Sequence, residues 1–355
     1  MERRPNSPDH TFRLPPRDTD PLAFLDPVES SSELGRSLIA SLSRHPDKVG
    51  TVSHVSLGEL GRGRHNTVVL ARLDHDPHRL ITLRFPTALD NPRESSYNLR
   101  SEYHALSRLP RGVAPEAYYW DTDDPEQPIL AAQYIHGHTI PYAMWQDKTL
   151  KSMGQKIALT HTVREAPVLP TDLRFHFLRG KVNDHLESLH SYRARVFVGR
   201  VLRELDPVLE RAQSLFKDAP YDSFTQNDYA ASNIIVSPDE SDVRLIDWEF
   251  AEFFHPDLDL ASFYLPGPQF RNFRAGLDPR RERLFIDAYE EIAGHDPNRL
   301  ERIRVGHKID LARMIVSLIA LLDNGTTESF GMTPEEAGFE YDILMDTFRS
   351  LGKIA

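Results

Sequence analysis

The chain has no cysteine in its 355 residues. Disulfides and thiolate metal sites are therefore excluded, and a reducing, cytoplasmic setting is expected. No apolar run approaches the roughly twenty residues of a membrane span. The opening Met1-Glu2-Arg3-Arg4-Pro5 lacks the apolar core of a signal peptide, so a soluble protein with no membrane partner is expected. No motif recurs at a period of 20 to 50 residues, which argues against a repeat fold. Positive charge is outweighed: 42 Lys and Arg against 53 Asp and Glu give a formal net charge of −11. Phosphate backbones are bound by basic surfaces, so nucleic acid is not expected as a partner. An acidic surface suits a cationic small substrate, and it equally suits simple solubility.

The length exceeds one typical domain and fits a two-lobed enzyme. Residues 1–30 are rich in Pro, Asp, Arg and Ser, with one apolar island at Leu22-Ala23-Phe24-Leu25. They bury too little to offset ordering and read as a disordered or loosely docked tail. From Ser31 a helix is expected, with Leu34, Leu38, Ile39 and Leu42 on one face, ending near His45-Pro46. A strand-rich stretch follows. Thr51–Leu57, Thr67–Leu73 and Leu80–Phe85 have strand composition, and the glycine-bearing stretch 58–66 reads as a loop between the first two. A helix over Glu94–Leu109 carries the stripe Leu99, Tyr103, Leu106, Leu109, and two further strands lie at Tyr118–Trp120 and Ile129–Ile135. From Leu150 the pattern turns helical: Leu150–Val163, then Lys181 to about Phe216 with a break expected at Pro207, then Arg280–Ala293, Asn298–Leu322 and Pro334–Leu351. His161 and His307 read as core histidines. His75-Asp76-Pro77-His78 reads as turn chemistry rather than a metal site.

The most informative stretch is Thr225-Gln226-Asn227-Asp228-Tyr229-Ala230-Ala231-Ser232-Asn233-Ile234-Ile235-Val236, followed by Val243-Arg244-Leu245-Ile246-Asp247-Trp248-Glu249-Phe250. A polar loop with Asp228 and Asn233 enters an apolar strand, and after a Pro-, Asp- and Ser-rich turn a second strand ends in Asp247. Singly, such Asp and Asn residues most often cap turns. Jointly, they place metal-capable oxygens at the ends of one hairpin. Magnesium favours hard oxygen ligands and is often held by one or two carboxylates together with substrate phosphates. Asn233 and Asp247 are the candidate ligands, and Asp228 is the candidate base facing an acceptor hydroxyl, a division of labour that phosphoryl transfer requires.

These residues resemble the catalytic and metal-binding motifs of the aminoglycoside phosphotransferase and choline/ethanolamine kinase superfamily. The pattern is His-x-Asp-x-x-x-x-Asn, an apolar strand, Ile-Asp-aromatic-Glu and, some ten residues later, Asp-Leu-Ala. Asp228, Asn233, Asp247, Trp248, Glu249, Asp259, Leu260 and Ala261 fall in register. Gln226 stands where the family has His; it can hydrogen-bond but cannot carry a charge.

The resemblance covers roughly residues 50 to 325 and implies an α+β, two-lobed protein-kinase-like fold. A small antiparallel β lobe (31–135) would bind the nucleotide, and a larger, mainly helical lobe (136–355) would carry the catalytic hairpin and the substrate site. It further implies Gly61 and Gly63 in a loop over the phosphates and Arg84 as the phosphate-holding cation, supported by Glu102. Backbone groups near Tyr134 and Ile135 would meet the nucleotide base, Gly137 would be a hinge, and Asp259 would brace the catalytic loop. The implied activity is transfer of the terminal phosphoryl group of ATP or GTP, with Mg2+, to a hydroxyl of an amino-alcohol or aminoglycoside-like acceptor. Trp248, Phe250 and Phe263 could face a quaternary ammonium, or could simply pack. Gln226 and Arg84 motivate an alternative, a nucleotide-binding pseudokinase with a regulatory or partner-binding role; a transferase or hydrolase of the same fold is a third reading.

Overall fold

A computed structural model describes residues 25–28, 33–62, 66–86, 92–121, 128–140, 144–165, 189–217, 221–263, 279–327 and 333–350. They fall into two compact units. One holds the described residues up to Ile140 together with Ala231–Ala251; the other holds those of 141–230 and 252–355. The hairpin expected with the helical lobe thus belongs to the first unit.

The first unit is built on a six-stranded antiparallel sheet in the order β1-β2-β3-β4-β6-β5. Its strands are β1 (Asp26–Val28), β2 (Val55–Arg62), β3 (Asn66–Leu73), β4 (Leu80–Pro86), β5 (Ala117–Asp121) and β6 (Ile129–Gln133). Side chains alternate across a strand, and here the alternation sorts two faces. Ile81 and Leu83 of β4 and Ile129 and Ala131 of β6 join a core with Leu38 and Leu42 of helix α1 (Glu33–Ser43). α1 ends near His45-Pro46 as expected, and a short helix α2 (Pro46–Val49) follows. Ser41 Oγ donates to Asp121 at 2.7 Å, tying α1 to β5. Thr82, Arg84, Leu130 and Ala132 face the other way, toward helix α3 (Pro92–Arg108).

Two expectations are corrected in this unit. Asp26–Val28, within the stretch read as a tail, pairs with β2, Val28 opposite Val55; composition does not register a ladder completed by a partner strand. Residues 1–24 lie outside the described residues. The stretch read as a glycine loop is largely strand, since Gly58 pairs with Leu70 and Gly61 with Val68, with a bulge between Glu59 and Gly61. Gly63 lies outside the described residues. Gly137 permits a close approach: a Cβ there would sit 2.4 Å from the Val236 carbonyl oxygen, and the neighbouring His138 exchanges backbone hydrogen bonds with Val236 at 2.9 and 3.0 Å.

The second unit is mainly helical: α4 (Asp147–His161), α5 (Tyr192–Phe216), α6 (Pro256–Phe263), α7 (Pro279–Ala293), α8 (Arg299–Asn324) and α9 (Pro334–Ser350), with a small antiparallel pair β7 (Ser223–Thr225) and β10 (Glu252–Phe254). α8 is the central helix, packed against α5, α6 and α9, while α4 packs on α7. Gly154 permits the second pairing, because a Cβ there would meet the Phe285 carbonyl oxygen at 2.6 Å. Val201, Leu205, Leu209, Ala212 and Phe216 of α5 bury against Leu311, Ile315 and Leu318 of α8. The break expected at Pro207 is absent, and α5 runs through it. A mid-helix proline costs about 3 kcal/mol, and the apolar stripe buried on either side of it offsets that. His307 is buried in α8, and burial pulls its imidazole down to about 4. No helix among the described residues is long and apolar enough to cross a membrane.

Candidate active site

The stripe that buries α3 also aims its carboxylate. Leu99, Glu102 and Leu106 share one helix face at spacings of three and four, and all three are buried. Glu102 therefore points at the sheet, where the pleat turns Arg84 toward it. Arg84 Nη1 donates to Glu102 Oε1, and Nη2 donates to Asp247 Oδ1 at 2.7 Å. Arg84 is only 12% exposed, so it is not the solvent-facing strand residue that composition also allows. Burial alone would pull its guanidinium down, yet the carboxylates of Glu102 and Asp247 hold it above its usual range. Burial pushes the Glu102 carboxyl up to about 7, with Arg84 opposing the rise and Asp247 adding to it.

Asp247 and Asn233 are brought together by strand register. β8 (Ile234–Val236) pairs with β9 (Val243–Leu245), Ile234 opposite Leu245. One step outward, the Ile246 N–H donates to the Asn233 carbonyl at 2.9 Å, and Asp247 is the next residue. Its φ of 64° is left-handed, a conformation that Asp, with its short polar side chain, tolerates better than most residues. Trp248 anchors the turn: it is fully buried, and its indole N–H donates to the Leu245 carbonyl at 2.9 Å. Its ring packs inside and is not a cation-binding face.

A cleft of about 750 Å3, open mouth included, lies over this ion pair. Leu60, Val68, Ala132, Tyr134, Ile135 and Ile235 supply its apolar walls. Gly61 sits in β2 next to Leu60. Two observations bear on a guest in the cleft. Arg84 Nε is buried with no hydrogen-bond partner, a donor suited to an anionic group. The Asn233 amide and the Asp247 carboxylate are hard oxygens of the kind magnesium takes, and their number leaves positions for phosphate and water. Among the described residues no group of three His, Cys, Asp or Glu forms a metal site. The His75–His78 stretch is turn chemistry, as expected, with Asp76 accepting the His78 N–H at 2.8 Å.

Asp228 and Asp259 belong to the second unit. Asp228 is partly exposed, in a loop whose preceding residue, Asn227, has a left-handed φ of 64°. Asp259, fully buried at the start of α6, holds this loop: the Asn227 N–H donates to Oδ1 at 2.8 Å and the Gln226 N–H to Oδ2 at 3.4 Å. His161 proves to be more than core filling, since its Nε2 lies 2.8 Å from Asp259 Oδ2 and its Nδ1 2.8 Å from the Tyr289 hydroxyl. The Tyr229 hydroxyl donates to the same Oδ2 at 2.5 Å. Neither Tyr229 nor Tyr289 is singled out by the sequence motifs; the residues meet across 30, 98 and 128 positions. Phe263 stacks on Phe285 with ring centroids 4.6 Å apart and, like Trp248, is packing. Phe250 is exposed.

The chain's likeness to known proteins agrees with this geometry. The phosphotransferase enzyme family model matches residues 56–301, more than half of the chain. No curated protein matches in a sequence comparison. Among solved structures, the chain resembles an ethanolamine kinase from Plasmodium vivax, with 14% identity, coverage of 90% of this chain and 91% of that one, and a TM-score of 0.58. It also resembles a choline/ethanolamine kinase family protein from Mesorhizobium loti, with 15% identity, coverage of 90% and 98%, and a TM-score of 0.55. A third is APH(2")-IIia in complex with GDP and kanamycin, with 13% identity, coverage of 88% and 99%, and a TM-score of 0.54. At these identities the structures establish the protein-kinase-like fold, and the family match carries the rest: the chain belongs to the phosphotransferase enzyme family and is a small-molecule kinase with an alcohol group as acceptor.

Proposed function

We propose that the protein transfers the terminal phosphoryl group of ATP or GTP to a hydroxyl of an amine-bearing small molecule, an amino-alcohol or aminoglycoside. The observation that carries this reading is the Arg84 guanidinium, held between Glu102 and Asp247 at the floor of an apolar cleft. Arg84 would release Asp247 and turn its fork to the nucleotide's phosphate oxygens, with Glu102 fixing its direction. The base would lie between apolar walls beside Tyr134 and Ile135. Asn233 and Asp247 would hold magnesium, which when bound supplies charge neutralisation at the phosphates. Asp228 would orient the acceptor hydroxyl and take its proton as the oxygen bonds to phosphorus and the bond to the nucleoside diphosphate breaks.

The acceptor class rests on two supports. The net charge of −11 suits a cationic substrate. Structures of the same fold carry the names ethanolamine kinase and a kanamycin complex, both ligands with amine and hydroxyl groups.

The test is nucleotide consumption by the purified protein with magnesium, against choline, ethanolamine and a series of aminoglycosides. Acceptor-dependent phosphate transfer that disappears with EDTA and in Asp228→Asn is expected. Undiminished transfer by Asp228→Asn would overturn the role of the base. Failure to bind any nucleotide, by fluorescence titration, would overturn the reading of the cleft.

A further inference from the structure

We propose that Tyr229 is a positioning residue for Asp228, acting through Asp259 and backed by His161. The inference rests on the reading of Asp228 as base, and it adds residues that the sequence motifs do not assign. It starts from the loop backbone. Asn227, immediately before Asp228, takes the left-handed region, which Asn enters more readily than most residues and which hydrogen bonds fix here. The enforcing bonds are identifiable. The Asn227 N–H donates to Asp259 Oδ1 at 2.8 Å, and its side-chain amide donates to Thr225 Oγ1 at 3.1 Å. Thr225 Oγ1 donates in turn to the Glu252 carbonyl at 2.9 Å, tying the loop to the β7–β10 pair.

Asp259 can hold Asn227 only if its own carboxylate is held. Tyr229, His161 and Tyr289 are each no more than 3% exposed, and Asp259 is fully buried. On Oδ2 converge the Tyr229 hydroxyl at 2.5 Å and His161 Nε2 at 2.8 Å. A carboxylate only accepts, so Nε2 carries a proton, and Nδ1 is hydrogen-bonded to the Tyr289 hydroxyl at 2.8 Å. Burial, then the neighbouring carboxylate, keep the Tyr229 phenol well above its usual range, so it stays a donor. Tyr229 thus lies on both sides of the base: it is covalently next to Asp228, and through Asp259 it restrains Asn227 on the other side. Losing its hydroxyl removes one of the bonds that fix the Asp259 carboxylate, and with it part of the hold on the loop around Asp228. Small misplacements of a catalytic group can cost about a hundredfold in rate.

The experiment compares Tyr229→Phe, His161→Leu and His161→Gln with the wild-type protein and with Asp228→Asn. For each, kcat, the nucleotide KM, the ADP affinity by fluorescence titration and the thermal midpoint are measured. Tyr229→Phe is expected to lower kcat by about 10- to 100-fold with nucleotide KM and ADP affinity within about twofold of wild type, because the proposed nucleotide contacts lie in the other unit. His161→Leu is expected to lower kcat similarly, and His161→Gln, whose amide can still donate to Asp259, to recover most of it. A lowered thermal midpoint with kcat unchanged in Tyr229→Phe would mean a purely structural residue and overturn the proposal. Should Tyr229→Phe fail to fold, equal kcat in His161→Leu and His161→Gln would overturn it in the same way. An inactive Asp228→Asn beside a fully active Tyr229→Phe refutes positioning alone, whereas a fully active Asp228→Asn refutes the base itself and positioning with it.

Discussion

Removing the cation of the buried pair, Arg84→Met, should produce a stability loss that depends on pH in a direction the structure dictates. Two charge-assisted hydrogen bonds disappear, to Glu102 and to Asp247; with the Asp247 side partly solvated, their loss is set at about 1.5 kcal/mol. The remaining effect comes from Glu102. Its carboxyl titrates at about 7 in the folded protein against an ordinary 4.5, so the folded state holds this proton more tightly than the unfolded one. The stabilisation is complete below pH 4.5 and is lost as pH rises toward 7. Arg84 opposes the rise, so without it Glu102 titrates higher still, and the loss continues above pH 7 at up to about 1.4 kcal/mol per pH unit. The deficit relative to wild type should therefore be about 1.5 kcal/mol at pH 6 and about 3 kcal/mol at pH 8, the latter near the range for an orphaned buried charge. Adding Glu102→Gln should recover the pH-dependent part at pH 8 and little at pH 6. Urea unfolding without nucleotide or magnesium, followed by the fluorescence of Trp120 and Trp248 in a Trp145→Phe background, measures both. An equal deficit at the two pH values, or no recovery at pH 8 in the double variant, would refute the reasoning.

Asn233→Ala removes one of the two oxygens proposed for magnesium. A contribution of several kcal/mol corresponds to a fall in kcat/KM of at least about 100-fold, partly restored by excess magnesium; an unchanged magnesium titration would exclude Asn233 as a ligand. His307 is held near pKa 4, below its ordinary 6.5, by burial. Its stabilisation is complete above pH 6.5 and is lost as pH falls toward 4, by up to about 3 kcal/mol. His307→Leu should flatten the acid limb of the stability profile, and an unaltered limb would assign acid sensitivity elsewhere. Gly137→Ala would bring a Cβ to 2.4 Å from the Val236 carbonyl oxygen and 2.6 Å from an Ile235 methyl. Overpacking of that kind costs about 1–3 kcal/mol, read as a lowered urea midpoint, and an unshifted midpoint would show that the segment yields freely.

What the sequence determined by itself is what short-range spacing controls. Strand composition in Leu80–Phe85 and Ile129–Ile135 gives two strands whose successive side chains must point to opposite faces, although which face meets the core is set by the packing. The 3.6-residue period around Leu99 and Leu106 gives the helix and its apolar side, while the burial of Glu102 on that side is decided by the sheet it packs against. The two apolar strands around a Pro-Asp-Ser turn commit Asn233 and Asp247 to one end of a hairpin, since antiparallel register follows from the turn. Tertiary structure alone decided the partnerships between distant segments. Arg84 and Asp247 lie 163 positions apart, and His161 and Asp259 lie 98 apart, and no local pattern encodes which buried donor finds which carboxylate. It also decided where local preference is overridden. A partner strand draws Gly58 and Gly61 into the ladder and Asp26–Val28 onto its edge, an apolar stripe carries α5 through Pro207, and the space around Trp248 and Phe263 makes them packing residues. In each case the deciding free energy comes from surface buried against residues remote in the chain, a quantity that composition and periodicity do not contain.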